Sequence, residues 1–200
     1  MVIQSHVKLS YKNDFMIVRG DEVKMIHLSE INTVIIDSTQ VSLTSYLLCE
    51  FVKRKIKVIF CDEKRNPSAE MMPYYGSHDC SLKIKRQTAW SDDIKGAVWT
   101  EIVFEKIRQQ KCLLQELGKN EAILLQEYLG EIEYGDATNR EGHAAKVYFN
   151  ALFGMDFSRS QDCPINAALN YGYSLMLSAI NREIVMNGYI TQLGLFHDNM

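Results

Sequence analysis

The period of the hydrophobic pattern changes along this chain, and that change limits the folds it can adopt. Before about residue 80, many apolar residues alternate with polar ones, as at Val7, Leu9 and Tyr11 in HVKLSYK. Alternation with a period of two predicts half-buried β-strands. After this point apolar residues recur every three or four positions, which predicts amphipathic helices. Strands followed by helices favour two separate domains over an interleaved α/β sheet.

Turn and cap signals divide each half of the chain. Asn13-Asp14 and Gly20-Asp21 are turn signals between predicted strands, and SLTSYLLCEFVKRK (42–55) predicts one helix among them. We therefore predict an α+β fold with a β-rich domain at 1–73, a linker at 74–80 and an all-helical domain at 81–200.

The helical half carries its own start and stop signals. Ser91 is a good N-cap and Gly118 a typical stop, while Pro164 suits the first turn of a last helix that ends near Asn187-Gly188. Gly172 falls inside that last helix, where glycine costs roughly 1 kcal/mol relative to alanine. A close approach by a neighbouring helix is our hypothesis for it.

Composition restricts the class of protein. The 200 residues are 46% hydrophobic with a net charge of −3, which is not the signature of disorder or of a protein that coats nucleic acid by bulk charge. No apolar run reaches the roughly 20 residues that span a bilayer, and the first residues lack the apolar region of a secretory signal. The five cysteines include no C-x-x-C pair, which favours reduced thiols. We therefore expect a cytoplasmic protein without a membrane association.

Glu141 heads a helix whose adjoining face is apolar, and two interpretations of it remain open. Residues at spacings of three, four, seven and eight share one helix face, and here these include Ala144 and Tyr148. A carboxylate on such a face is costly unless it is paired, hydrogen-bonded or metal-bound. T-N-R-E, from Thr138 to Glu141, fits a capping box, in which Glu141 bonds back to the backbone of Thr138. The alternative is a metal ligand at the mouth of a cleft.

Other candidate residues carry weaker signals. His197 follows the last predicted helix, and spacing alone does not connect it to Glu141. SLKIKRQTAW, with Lys85 and Arg86, is a basic stretch that fits either a solvated surface or phosphate binding. Arg140, next to Glu141, is open to the same two interpretations.

Long motifs identify a resemblance. The chain is similar to the CRISPR-associated spacer-acquisition endonucleases and integrases of type II systems, over most of its length. The matching stretches are HLSEINTVIIDS, VIFCDEKRNPSAEMMPYYGSHDCSL, NREGHAAKVYFNALFGMDFSR, PINAALNYGYSLMLSAI and TQLGLFHDN.

The resemblance implies a function and a set of partners. It implies a metal-dependent DNA endonuclease and integrase that inserts short foreign duplexes into a CRISPR repeat array, by attack of a 3′-hydroxyl on a phosphodiester. It also implies a homodimer built through the β-rich domain, a small ferredoxin-like CRISPR-associated partner protein, and binding of double-stranded DNA. The matching motifs assign Glu141 and His197 as metal ligands for Mg²⁺ or Mn²⁺, a donor set that suits Mn²⁺ well.

The same resemblance places a third, carboxylate ligand beyond the histidine. The chain ends at Met200, soon after His197. We therefore expect a form truncated at the C-terminus, with an incomplete catalytic domain, weak metal binding and little activity alone. The alternative function is a catalytically silent, dimeric DNA-binding scaffold, in which Lys85, Arg86 and Arg140 contact phosphates without reading sequence.

Overall fold

The computed structural model describes residues 1–74 and 79–196, which form two compact units. The first unit contains the described part of Met1–Cys80 together with Ala167–Gly188. The second contains Ser81–Asn166 and the described residues from Tyr189 onward. Strands occupy the first unit and helices dominate the second, so the predicted α+β class is confirmed.

The strands of the first unit form two four-stranded sheets. In one sheet, with the order β1-β5-β7-β8, the first three strands are parallel and the last is antiparallel. In the other, with the order β4-β3-β2-β6, three strands form an antiparallel meander. The strands are β1 (Val2–Ile3), β2 (Lys8–Lys12), β3 (Phe15–Arg19), β4 (Val23–His27), β5 (Thr33–Ile36), β6 (Ser42–Leu43), β7 (Lys57–Cys61) and β8 (Pro67–Glu70).

Turn chemistry sets the register of the meander. Lys12 pairs with Phe15, which leaves Asn13 and Asp14 as a two-residue loop. Both loop residues have positive φ, at 48° and 68°, as tight hairpin turns require. The predicted turn is thus confirmed, and it places Leu9 and Met16 on the buried face of the sheet.

Helix α1 (Ser45–Lys53) fills the core of this unit. Its N-cap is Thr44, whose hydroxyl accepts a hydrogen bond from the Leu47 backbone N–H. Phe51 is fully buried in a cluster with Leu9 and Val58, which come from different sheets. Full burial of such side chains stabilises the unit by about 2 kcal/mol each.

Most helices after residue 80 begin and end near the residues that the sequence signals predict. Ser91 caps α3 by accepting from the Ile94 N–H, and Gly118 follows its end with φ +65°. The core of the second unit joins three helices through buried residues that include Ile107, Leu125 and Ala144. The helices are α2 (Cys80–Thr88), α3 (Asp92–Glu116), α4 (Ala122–Gly130), α5 (Arg140–Phe153) and α6 (Pro164–Met186).

The segment Ala167–Gly188, which includes most of α6, belongs to the first unit. Its helical period had placed it in the predicted helical domain at 81–200. Glu70, at the end of β8, accepts hydrogen bonds from Ser178 at 2.5 Å and Asn181 at 2.6 Å. Lys57 adds an ion pair at 3.6 Å. These polar contacts join the helix to the sheet edge, and sequence periodicity carries no signal for them.

Gly172 does not mark a close helix approach among the described residues. A Cβ atom at this position would meet nothing within 4 Å. Our hypothesis for this glycine is therefore wrong in the described structure.

Candidate functional site

The start of α5 is held by two side chains that precede it. Asn139, at φ 53°, is the N-cap and accepts from the Gly142 N–H at 3.3 Å. The buried carboxylate of Asp136 accepts from the Arg140 N–H at 2.7 Å and from the Glu141 N–H at 3.1 Å. Together they satisfy three of the N–H groups that a helix start leaves without intrahelical partners.

The predicted capping box is therefore wrong. The cap is Asn139 rather than Thr138, and the Thr138 hydroxyl is buried without a hydrogen-bond partner among the described residues. The backbone N–H groups of the first turn are taken by Asp136 and Asn139 instead. The Glu141 side chain is consequently not used as a cap.

The Glu141 carboxylate instead contacts the Lys106 ammonium group, from α3. The Glu141 side chain is 23% exposed and that of Lys106 is 47% exposed. Ala144, one turn further along α5, is fully buried against the core that contains Ile107. Glu141 thus lies at the rim of the core, where the apolar face of α5 reaches solvent.

Arg140 is held on the neighbouring side of the same helix. Its guanidinium lies 3.1 Å from the Glu131 carboxylate and 5.2 Å from the centre of the Tyr128 ring. These contacts orient its side chain, which is only 25% exposed. A phosphate would have to replace Glu131 as its partner.

Lys85 and Arg86 are exposed in the last turn of α2. The opposite side of this helix is anchored by Gln87, which is buried. The Gln87 amide donates to the Ile190 carbonyl at 2.7 Å and accepts from the Ile190 N–H at 2.9 Å. The anchor leaves the two basic side chains directed into solvent.

Lys106, Asp136 and Gln87 were not predicted to have a role. No sequence pattern connects Lys106 to Glu141, because the two residues lie 35 positions apart. Asp136 precedes Glu141 by more than a capping motif covers, so no local pattern marks it. The polar Gln87 within an exposed basic stretch gives no signal of its buried role.

The proposed second ligand, His197, lies outside the described residues, as does Asp198. Within 1–74 and 79–196, no three His, Cys, Asp or Glu side chains are grouped to hold a metal ion. The pairing of Glu141 with His197 stays a prediction.

No helix in the described part of the chain is long and apolar enough to cross a membrane.

Comparison with known proteins gives a consistent family assignment. The family model described as CRISPR associated protein Cas1 matches residues 1–200. A CRISPR-associated endonuclease Cas1 from Neisseria meningitidis is 33% identical over 199 residues, which cover 98% of this chain and 66% of that protein. A CRISPR-associated endonuclease Cas1 from Francisella tularensis is 24% identical over 213 residues, which cover 96% of this chain and 67% of that protein. The chain thus spans about two thirds of the length of these relatives.

Solved structures share the fold. A Cas1 protein from Thermotoga maritima matches with a TM-score of 0.78 and 16% identity, over 99% of this chain and 68% of that chain. A chain of a Cas6-RT-Cas1–Cas2 complex matches with a TM-score of 0.67 and 17% identity, over 100% of this chain and 24% of that chain.

Proposed function

The chain belongs to the CRISPR-associated Cas1 family, and we propose that it acts in a metal-dependent DNA endonuclease and integrase. In the proposed reaction, a 3′-hydroxyl of a short foreign DNA duplex attacks a phosphodiester of a CRISPR repeat. One strand bond forms, another breaks, and the departing oxygen is left as a new 3′-hydroxyl. The family's endonuclease relatives and the motifs around Glu141 and His197 support this reaction, and the motifs also favour a type II system.

The observation that carries the proposal is the position of Glu141. Asp136 and Asn139 already satisfy the start of α5, so the glutamate is not needed as a cap. Its carboxylate is partly exposed at the rim of the core and already contacts a cation, the Lys106 ammonium. A carboxylate that a packed helix holds at a fixed position, partly open to solvent, meets the positional requirement of a metal ligand.

We propose Mg²⁺ or Mn²⁺ as the metal, with Glu141 and His197 as protein ligands. A carboxylate oxygen and an imidazole nitrogen are suitable donors for Mn²⁺. When bound, the metal would stabilise negative charge on the oxygens of the reacting phosphate. Of the described donors, Glu141 fits this role because its Oε2 atom has no hydrogen bond to the described residues.

The basic residues have the proposed task of holding the DNA. Lys85 and Arg86 are exposed on an anchored helix and can contact phosphates without rearrangement of the backbone. Arg140 would exchange its Glu131 partner for a phosphate. Such contacts add affinity and orient the duplex but do not read its sequence.

We propose further that the protein forms a homodimer through the first unit and binds a small ferredoxin-like CRISPR-associated partner. Structures with the fold of this chain include one of a Cas6-RT-Cas1–Cas2 complex, which supports an assembly of this kind. We also propose that the assembly works in the cytoplasm, where its proposed DNA substrate would be located.

The test is strand transfer by the protein with its cognate partner, a labelled duplex, a repeat-containing plasmid and Mn²⁺. Glu141→Gln and His197→Ala are each expected to reduce the rate at least about 100-fold, because each removes a proposed ligand. Glu127→Gln and His143→Ala, which alter exposed residues of α4 and α5, should leave the rate unchanged. A Glu141→Gln protein that integrates at the normal rate would show that the site assignment is wrong.

A second candidate function is a catalytically silent DNA-binding scaffold. The Lys106–Glu141 ion pair favours it, because the carboxylate is already neutralised without a metal. In this case duplex binding would weaken as salt rises, through Lys85 and Arg86, while Mn²⁺ would produce no cleavage. Measured side by side on one preparation, cleavage and salt-dependent binding distinguish the two functions.

A further inference from the structure

Lys106 is placed by the core of the second unit rather than by a flexible surface segment. It lies on α3 between Val103 and Ile107, both of which are fully buried. Ala144 of α5 belongs to the same buried cluster. The stem of Lys106 therefore starts from a fixed position next to the first turn of α5.

The partner of Lys106 has no other described task. Glu141 does not cap its helix, because Asp136 and Asn139 supply the side-chain acceptors there. Its carboxylate makes its one described side-chain hydrogen bond with the Lys106 ammonium. With a side chain only 23% exposed, an ionised glutamate gains from a cation close to it.

The lysine can leave this contact at small cost. Its side chain is 47% exposed, so the ammonium can turn into water without becoming a buried, unpaired charge. Ion pairs with an exposed partner contribute little net stability, since solvent replaces much of the attraction. The pair is therefore stable enough to form and weak enough for a divalent cation to replace it.

We propose that Lys106 is a resident counter-ion of Glu141, which a divalent metal ion must displace in order to bind. The proposal rests on the proposed function of Glu141 as a metal ligand. Lys106 then lowers the metal affinity of the site by competing for the Glu141 carboxylate, without itself being a ligand. Once displaced, its ammonium remains beside the site, where the phosphates of bound DNA are its natural partners.

The neighbouring cations on α3 serve as contrasts. Arg108 donates to both carboxylate oxygens of Glu105, at 2.6 and 2.7 Å, and is thereby held away from Glu141. Lys111 donates to the Gln126 amide oxygen at 2.9 Å. Lys111→Met removes the same charge from the same helix without touching Glu141, so it is the matched control for Lys106→Met.

The experiment measures Mn²⁺ binding to the full chain, from the loss of the free-ion signal in electron paramagnetic resonance. Lys106→Met and Lys106→Gln are expected to bind Mn²⁺ about three- to ten-fold more tightly than the wild-type chain, since no ammonium competes. Lys106→Arg should bind with nearly wild-type affinity, because it restores a cation. The Mn²⁺ affinity of Lys111→Met should stay within about two-fold of wild type, and this variant controls for the change in net charge.

The outcomes separate this inference from the proposed function. Equal or weaker Mn²⁺ binding by Lys106→Met, in a wild-type chain that does bind Mn²⁺ through Glu141, would overturn the inference alone. Adding Glu141→Gln to Lys106→Met should abolish the gain in affinity, and a gain that persists would also overturn it. If neither the wild-type chain nor Lys106→Met binds Mn²⁺ even at millimolar concentration, this chain does not hold a metal at Glu141 and both proposals fail together.

Discussion

At the scale of single residues, two carboxylates near the start of α5 have different partners. Asp136 is buried and spends both oxygens on backbone N–H groups at the start of α5. Asp136 thus adds a negative charge at the N-terminal end of α5, where such charge is favoured, although it precedes the helix. Glu141, five residues later, keeps its carboxylate for a side-chain cation.

A third carboxylate, Glu105, has a different environment and a measurable consequence. Hydrogen bonds from Arg108 and then Gln109 lower the pKa of Glu105 from 4.5 to about 2. The ion pair stabilises the folded state fully above pH 4.5, the ordinary pKa, and this contribution disappears as pH falls towards 2. A ¹³C NMR titration of the side-chain carboxyl should show the low pKa directly.

The control for this prediction is Arg108→Gln. It removes the first cause of the shift, so the pKa of Glu105 should rise towards its ordinary value. High salt should move it in the same direction, because the pair is on the surface. A wild-type pKa near 4.5 would show that the Glu105–Arg108 pair does not persist in solution.

Residues of this site differ in how far the sequence reveals them. Glu141 could be selected as a candidate because it belongs to a long motif and heads a helix with an apolar face. Its partner Lys106 was not, since the contact joins two helices and depends on how they pack. The cap was misassigned because T-x-x-E is a local pattern, whereas the N-cap Asn139 uses a left-handed backbone conformation that the sequence pattern does not specify.

At the scale of elements, boundaries with a chemical signal were predicted well. Ser91, Gly118 and Pro164 lie where cap and stop rules place them. β8 was not predicted, since Pro67–Glu70 is short and lacks β-branched residues, and it is formed through pairing with β7. Pairing with β7 therefore forms β8, which local β-propensity does not predict.

Gly172 and Gly96 allow a test of what glycine does within these helices. Gly172→Ala should stabilise the chain by about 0.5–1 kcal/mol, because alanine favours the helix and a Cβ meets nothing within 4 Å. Gly96→Ala should gain less or lose stability, since its Cβ would lie 2.6 Å from the Tyr134 hydroxyl oxygen. Urea unfolding of both variants measures the difference. A destabilised Gly172→Ala protein would indicate a neighbour at this helix face that the described residues do not include.

At the scale of the whole molecule, chain order and compact units do not coincide. The chain leaves the first unit after Cys80, builds most of the second, and returns with Ala167–Gly188. A division by sequence alone assigns each stretch to its neighbours, so it could not find this return. Polar contacts between this segment and the rest of the first unit include those of Glu70, which accepts from Ser178 and Asn181, and of Arg182, which donates to the Lys55 carbonyl.

Glu70 is accordingly the residue whose loss should release α6 from the first unit. Its side chain is 11% exposed beside Lys57, whose pKa is lowered by burial and raised in part by Glu70. Glu70→Ala leaves the Lys57 ammonium and two hydrogen-bond donors without their acceptor, at a cost of about 3 kcal/mol. Hydrogen exchange followed by mass spectrometry should show faster exchange in 167–186 and in β7, with α3 and α5 much less affected. Glu63→Ala, an exposed change in the same unit, should leave exchange as in wild type. Unchanged protection of 167–186 in Glu70→Ala would mean that apolar packing, rather than the Glu70 contacts, holds α6 in the first unit.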